Sequence, residues 1–270
     1  MMPQNTSAVE VPPLLRLRGI SKSFGAVQAL TDVDLDIPAG TVTGLAGDNG
    51  AGKSTLIKCI AGIHPPDSGE ISWEGQPVTL RGPADAAALG IQTVYQDLAL
   101  CDNLDIVQNM FLGRERTRFG QLDDVSMEQA AATTLNELSV TTVHSVRQQA
   151  KTLSGGQRQS IAIAKAVLWE SRLVVMDEPT AALGVTQTRM VLDLVRRLAA
   201  RGHGVLLISH NVVDMLDVAD RIAVMRHGRM VSVRPRDQID ERILVDLMTV
   251  GKSERDPDVI DDGPERSSES

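Results

Sequence analysis

Apolar and polar positions alternate at two places early in the chain. In LLRLRGI, which starts at Leu14, and in DVDLDI, from Asp32 to Ile37, aliphatic residues are interleaved with charged ones. A period of two predicts strands with one wet face. TVTGLAG (Thr41–Gly47), IQTVYQ (Ile91–Gln96), LVVM (Leu173–Met176) and VLLIS (Val205–Ser209) read as further strands, and the last two are wholly apolar, as in strands buried on both faces. ISWEGQPVTL (Ile71–Leu80) and RIAVMRHGRMVSV (Arg221–Val233) read as hairpins turning at Glu74-Gly75 and His227-Gly228.

The period changes to that of a helix over Lys53–Gly62, where Leu56, Ile57 and Ile60 share a face and Pro65 and Pro66 follow the end. Helices are also predicted from Ser154 to about Trp169, and over Thr186–Arg201 with Met190, Val191, Leu194, Val195 and Leu198 on one stripe. Asn211 can cap another. The stretch from Asp97 to Lys151, rich in Gln, Thr, Asp and Ala, reads as an inserted helical subdomain with its clearest periodicity at Met127–Leu138. Strands alternating with helices predict an α/β fold with a mostly parallel sheet covered on both faces.

Composition sharpens this. Hydrophobic residues make 42% of the 270 and aromatics only 2%, so the core must be aliphatic. Trp73 and Trp169 read as packing residues. Thirty-five acids against 27 bases give a net charge of −8. That argues against binding nucleic acid or an anionic membrane, since both need clustered Lys and Arg. The acidity is divided. The last twenty residues hold seven acids and three bases (−4), leaving 28 acids and 24 bases (−4) for the first 250. Residues 1–12 read as a loose polar leader without the apolar core of a secretory signal. Residues 13–250 form the folded unit, and 251–270 read as a disordered acidic tail. No apolar run approaches the ~18 residues of a membrane span. Two distant cysteines, Cys59 and Cys101, indicate no disulfide framework.

Three sites carry chemistry. Gly47-Asp48-Asn49-Gly50-Ala51-Gly52-Lys53-Ser54, followed by Thr55, matches GxxxxGK[ST] between a strand and a helix. Its glycines let successive N–H groups face phosphate oxygens, and the helix N-terminus adds positive dipole. Lys53 would reach the β- and γ-phosphates, and Ser54 would be a Mg²⁺ ligand. Second, the LVVM strand ends in Asp177 and Glu178. Ligands bind at strand carboxyl ends in such sheets. Asp177 can hold Mg²⁺, and Glu178 can polarise an attacking water. Third, Leu153-Ser154-Gly155-Gly156-Gln157 opens a helix with a capping serine and bare amides, a second anion-binding end.

With these three ordered motifs the chain resembles the ATP-binding cassette ATPases from about Leu14 to Val250, LSGGQ being that family's signature. The resemblance implies a P-loop NTPase core with an antiparallel β subdomain and a helical subdomain at about residues 97–152. It implies that Phe24 stacks on adenine, that Gln96 senses Mg²⁺ and the attacking water, and that His210 contacts the γ-phosphate. It implies that Ser154, Gly155, Gly156 and Gln157 serve the ATP held by a partner. One copy of each motif then points to a head-to-tail homodimer closed by ATP. After Glu178-Pro179-Thr180 the family usually runs Ser-Ala-Leu-Asp; here Ala181-Ala182-Leu183-Gly184 stands, so contact between the two sites is expected to be weaker or differently wired.

EPTAALGV, TVYQDLAL and ADRIAVMRHGRMV are similar to the ATP-binding subunits of bacterial simple-sugar importers of the ribose, xylose and fructose type. That implies membrane permease subunits, docked through Asp97–Asn109, and indirectly a sugar-binding protein. It places the chain at the cytoplasmic face of the membrane. Cassettes for amino acids, lipids or drugs, cassette proteins acting on DNA or ribosomes, and a non-enzymatic nucleotide-binding regulator stay as competing readings. The general base Glu178 speaks against the last. Cys59, in the phosphate-loop helix, is expected to be buried, though close enough to nucleotide for thiol modification to inhibit.

Overall fold

The two wholly apolar runs become the centre of the molecule. A computed structural model describes residues 12–252; the leader, apart from Pro12, and nearly all of the acidic tail lie outside the described residues. In chain order the elements are β1 (Leu15–Phe24), β2 (Val27–Ile37), β3 (Val42–Gly47), α1 (Lys53–Ile60), β4 (Ser68–Trp73), β5 (Gln76–Val78), α2 (Pro83–Ala88) and β6 (Ile91–Val94). Then follow α3 (Ile106–Phe111), β7 (Thr117–Arg118), β8 (Gln121–Leu122), α4 (Asp124–Glu137), α5 (Gly155–Leu168) and β9 (Leu173–Asp177). The chain closes with α6 (Val185–Ala200), β10 (Gly204–Ile208), α7 (Val212–Val218), β11 (Arg221–Arg226), β12 (Arg229–Pro235) and α8 (Glu241–Thr249).

A six-stranded sheet has the order β12-β11-β3-β10-β9-β6. All its pairs are parallel except β11–β12 at the edge. Every residue of β3 and β10 is buried, because both faces are covered. On one face Val174, Met176, Val205 and Leu207 pack with α3 to α6. On the other, Leu173, Val175, Leu206 and Ile208 meet α1 and the second sheet. Each fully buried Leu or Ile contributes about 1.5–3 kcal/mol. The second sheet, β2-β1-β4-β5, is antiparallel and carries the predicted alternation. Leu15 faces Ile37 and Leu17 faces Leu35 on the buried side, while Arg16 and Arg18 bind Asp36 on the wet side.

The predicted hairpins are present. Glu74 and Gly75 both have positive φ, as do His227 and Gly228, the geometry of two-residue turns that match strand twist. Asn211 caps α7, accepting from the N–H groups of Val213 and Asp214. Two helices, α2 and α8, have no counterpart in the sequence reading, and α3 falls inside the expected helical subdomain but outside its clearest periodicity. The 97–151 stretch is also less helical than expected, since it contains the β7–β8 hairpin and a long irregular segment before α5. Among the described residues no helix is long and apolar enough to cross a membrane.

Candidate functional site

β3 delivers its last residue, Gly47, into a loop that ends at α1. Gly47 has φ 154, and a Cβ there would lie 2.4 Å from the Met225 carbonyl oxygen. Gly52, with φ 102, caps α1 from the left-handed region, and a Cβ there would lie 2.8 Å from the Ala29 oxygen. Only glycine fits where neighbouring backbone comes this close. No side chain caps α1, so its first N–H groups are left to face a ligand. Lys53 is buried, and its Nζ donates to the carbonyls of Gly47 (2.7 Å) and Asp48 (3.0 Å). The Asp48 carboxylate in turn accepts from the Asn49 N–H.

A cleft of about 550 Å³ opens over this loop. It brings together Asn49 to Thr55 from the loop and α1, Gln96 from the end of β6, and Asp177 and Glu178 from the end of β9. Parallel β6–β9–β10–β3 register is what aligns these strand ends. Burial pushes the Lys53 ammonium below its usual value, partly offset by the carboxylates of Glu178, Asp177 and Asp48. Burial, then the like charge of Glu178, raises Asp177 above its usual value against the pull of Lys53 and Lys58. Glu178 sits at φ 53, its N–H bonded to the Ile208 carbonyl, and its Oε2 pairs with Nδ1 of the exposed His210 from the end of β10.

Not every predicted residue reaches the cleft. Phe24 is half-exposed at the end of β1 and is not among the lining residues; its ring meets His64 edge-on, centroids 5.2 Å apart. The wall the sequence reading missed consists of Val27, Gln28, Ala29, His227 and Gly228. Gly228 donates to the Ala51 carbonyl and accepts from the Thr31 N–H, which ties the β11–β12 turn to both the loop and β2. The available signal was positional: a His-Gly turn ends the strand next to β3.

Ser154, Gly155, Gly156 and Gln157 lie away from this cleft. Ser154 and Gln157 form a reciprocal capping box on α5, and Gln157 Nε2 also donates to the Thr142 carbonyl. Gly156 is pressed on α6, where a Cβ would stand 2.9 Å from that of Gln187. Gly184, the family departure, caps α6 with φ −73, and a Cβ there meets nothing within 4 Å. Cys59 is fully buried and its thiol is pushed up to about 11 by burial, so the idea that thiol modification inhibits fails on access and on reactivity.

Among known proteins, the family model for the ABC transporter matches residues 30–181. The fructose import ATP-binding protein FrcA of Rhizobium meliloti is 47% identical over 83% of this chain and 90% of its own length. The xylose/arabinose import ATP-binding protein XylG of Sulfolobus acidocaldarius is 44% identical over 87% of this chain and 94% of its own. The ribose import ATP-binding protein RbsA 2 of Streptomyces avermitilis is 41% identical over 87% of this chain, but the match spans only 46% of that longer protein. In structure, an ATP-binding cassette of an ABC transporter in its ADP conformation is 28% identical and superposes with a TM-score of 0.78, over 88% of this chain and 97% of that one. The chain belongs to the ABC transporter family, as one of its ATP-binding cassettes.

Proposed function

We propose that this chain hydrolyses ATP to drive an ABC importer of a monosaccharide. One observation carries the reading: an uncapped helix N-terminus, Lys53 and the Asp177–Glu178 carboxylates meet in a single cleft. The loop amides and Lys53 would bind the β- and γ-phosphates. Ser54, Gln96 and Asp177 are oxygen donors with one carboxylate among them, a set that suits Mg²⁺ shared with phosphate oxygens. Held there, Mg²⁺ would supply charge neutralisation on the phosphates. Glu178 takes the proton of the attacking water, and His210, paired with it, positions that carboxylate and meets the γ-phosphate. Phe24 supplies a flat apolar surface beside the site for the base.

Of the signature residues, Ser154 and Gly155 are exposed at the start of α5 and free to close on the ATP of a second copy, in a homodimer that opens when the γ-phosphate leaves. The relatives named for fructose, xylose and ribose import support a monosaccharide as cargo. Permease subunits, fed by a sugar-binding protein, would hold the chain at the cytoplasmic face. Residues 97–152 are the proposed docking subdomain. A groove of about 200 Å³ lined by Tyr95, Leu98, Leu112, Arg114 and Trp169 includes the start of the Asp97–Asn109 segment and has room for a side chain or two from a permease. Reconstitution with candidate permease and binding protein tests this: sugar must stimulate ATP turnover and ATP must drive sugar uptake. Stimulation by an amino acid, lipid or drug instead would refute the sugar assignment, and replacement of Asp97–Asn109 must abolish the permease-dependent rate.

A further inference from the structure

The β7–β8 hairpin has no role in the cleft, yet it carries the most exposed large apolar side chain of the described residues. Phe119 is 94% exposed. It stands at φ 54 beside Gly120 at φ 80, so the turn itself holds the ring out at a backbone conformation bulky residues disfavour. Leu122 and Val125 extend the apolar tip. Arg114, Arg116 and Arg118 line the approach, stacked over Trp169, Phe111 and Phe119. Among the described residues none of the three arginines forms a salt bridge. The nearby acids are engaged with backbone: Glu115 accepts from the Gly113 N–H, and Asp123 from the Ser126 N–H at the start of α4. Residues 112–122 hold three arginines and one glutamate, net +2; Asp123 and Asp124 follow directly, the first capping α4 and the second paired with Arg147, which offsets its charge.

We propose that this hairpin is a contact for the anionic headgroup layer of a membrane, with Phe119 entering the interface and Arg116 and Arg118 meeting lipid phosphates. Aromatic rings and arginines are the side chains that favour that boundary. The acidity of the chain as a whole argues against an anionic membrane, so the contact is confined to this tip. Its place beside a bilayer rests on the permease reading, because the same segment begins with Leu112 and Arg114 in the docking groove. The lipid contact itself needs no permease.

The test is co-sedimentation of the full chain with vesicles of phosphatidylglycerol or of phosphatidylcholine, without permease. Binding to the anionic vesicles is expected to exceed that to the zwitterionic ones and to vanish at high salt. Each arginine near the surface is worth about fivefold in partitioning. The triple variant Arg116→Gln, Arg118→Gln, Phe119→Ala is therefore expected to lose at least about 25-fold, with unchanged Tm and unchanged ATP turnover of the free chain. Equal binding of wild type to both vesicles, or equal binding of the variant and wild type, overturns the proposal. So does a variant that binds vesicles normally but loses permease-stimulated turnover in detergent, which would assign the hairpin to the permease.

Discussion

At the scale of single residues, the cleft holds its charges at a cost to the fold. Asp177 is half-buried beside Glu178, and its carboxyl is raised above the ordinary value, first by burial and then by that neighbour. A raised folded value means that ionised Asp177 opposes folding; the cost is absent below the unfolded value of 3.8 and grows as pH rises through the folded value. Asp177→Asn is therefore expected to raise the Tm of the ligand-free protein at pH 7, with the gain shrinking toward pH 4, while ATP turnover falls. Thermal melts across that range check it, and a lower Tm at pH 7 would contradict the account. The sequence motif named Asp177, Glu178 and Lys53 because phosphate chemistry needs those types at that spacing. It could not show that Lys53 lies buried on the Gly47 and Asp48 carbonyls, which depends on how the loop folds back, or that His210 pairs with Glu178, which depends on where β9 and β10 end.

At the scale of elements, the helix-sheet pattern was legible where apolar runs were long. β9, β10 and α6 stand within a residue or two of their expected bounds. The two-residue strands β7 and β8 and the six-residue helices α2 and α3 are too short to show a period, and tertiary contacts stabilise them instead. α8 does carry an apolar stripe that buries Leu244 and Leu247, but it is only nine residues long and lies just before the polar tail, so its period is easily passed over. The signature glycines illustrate an overlap of roles that sequence could not expose. Gly156 serves the α5–α6 contact as well as leaving an amide bare, because a Cβ there would stand 2.9 Å from that of Gln187. Gly156→Ala is expected to destabilise the protein by roughly 1–3 kcal/mol through overpacking, read by denaturant titration. An unchanged midpoint would show that α6 yields freely.

At the scale of the whole molecule, the N-termini of α1 and α5 lie on one chain but open in different places, and the proposed homodimer would bring them together. The first copy's α1 end and the second copy's α5 end would enclose one ATP. Gly184 lies at the start of α6, with open space around it. Gly184→Asp fits without strain and exchanges one good helix cap for another, so stability should move by only a few tenths of a kcal/mol. If the absent carboxylate weakens contact between the sites, the variant gains cooperativity of ATP turnover; a rate and Hill slope equal to wild type would show that the glycine is silent.

The central claim is that this chain turns over ATP with Glu178 as the base. The most direct measurement compares ATP turnover and ATP binding of wild type and Glu178→Gln under one condition. The account predicts that binding persists and turnover falls by roughly 10²-fold or more, the scale of losing a positioned general base. Turnover unchanged in Glu178→Gln would contradict it.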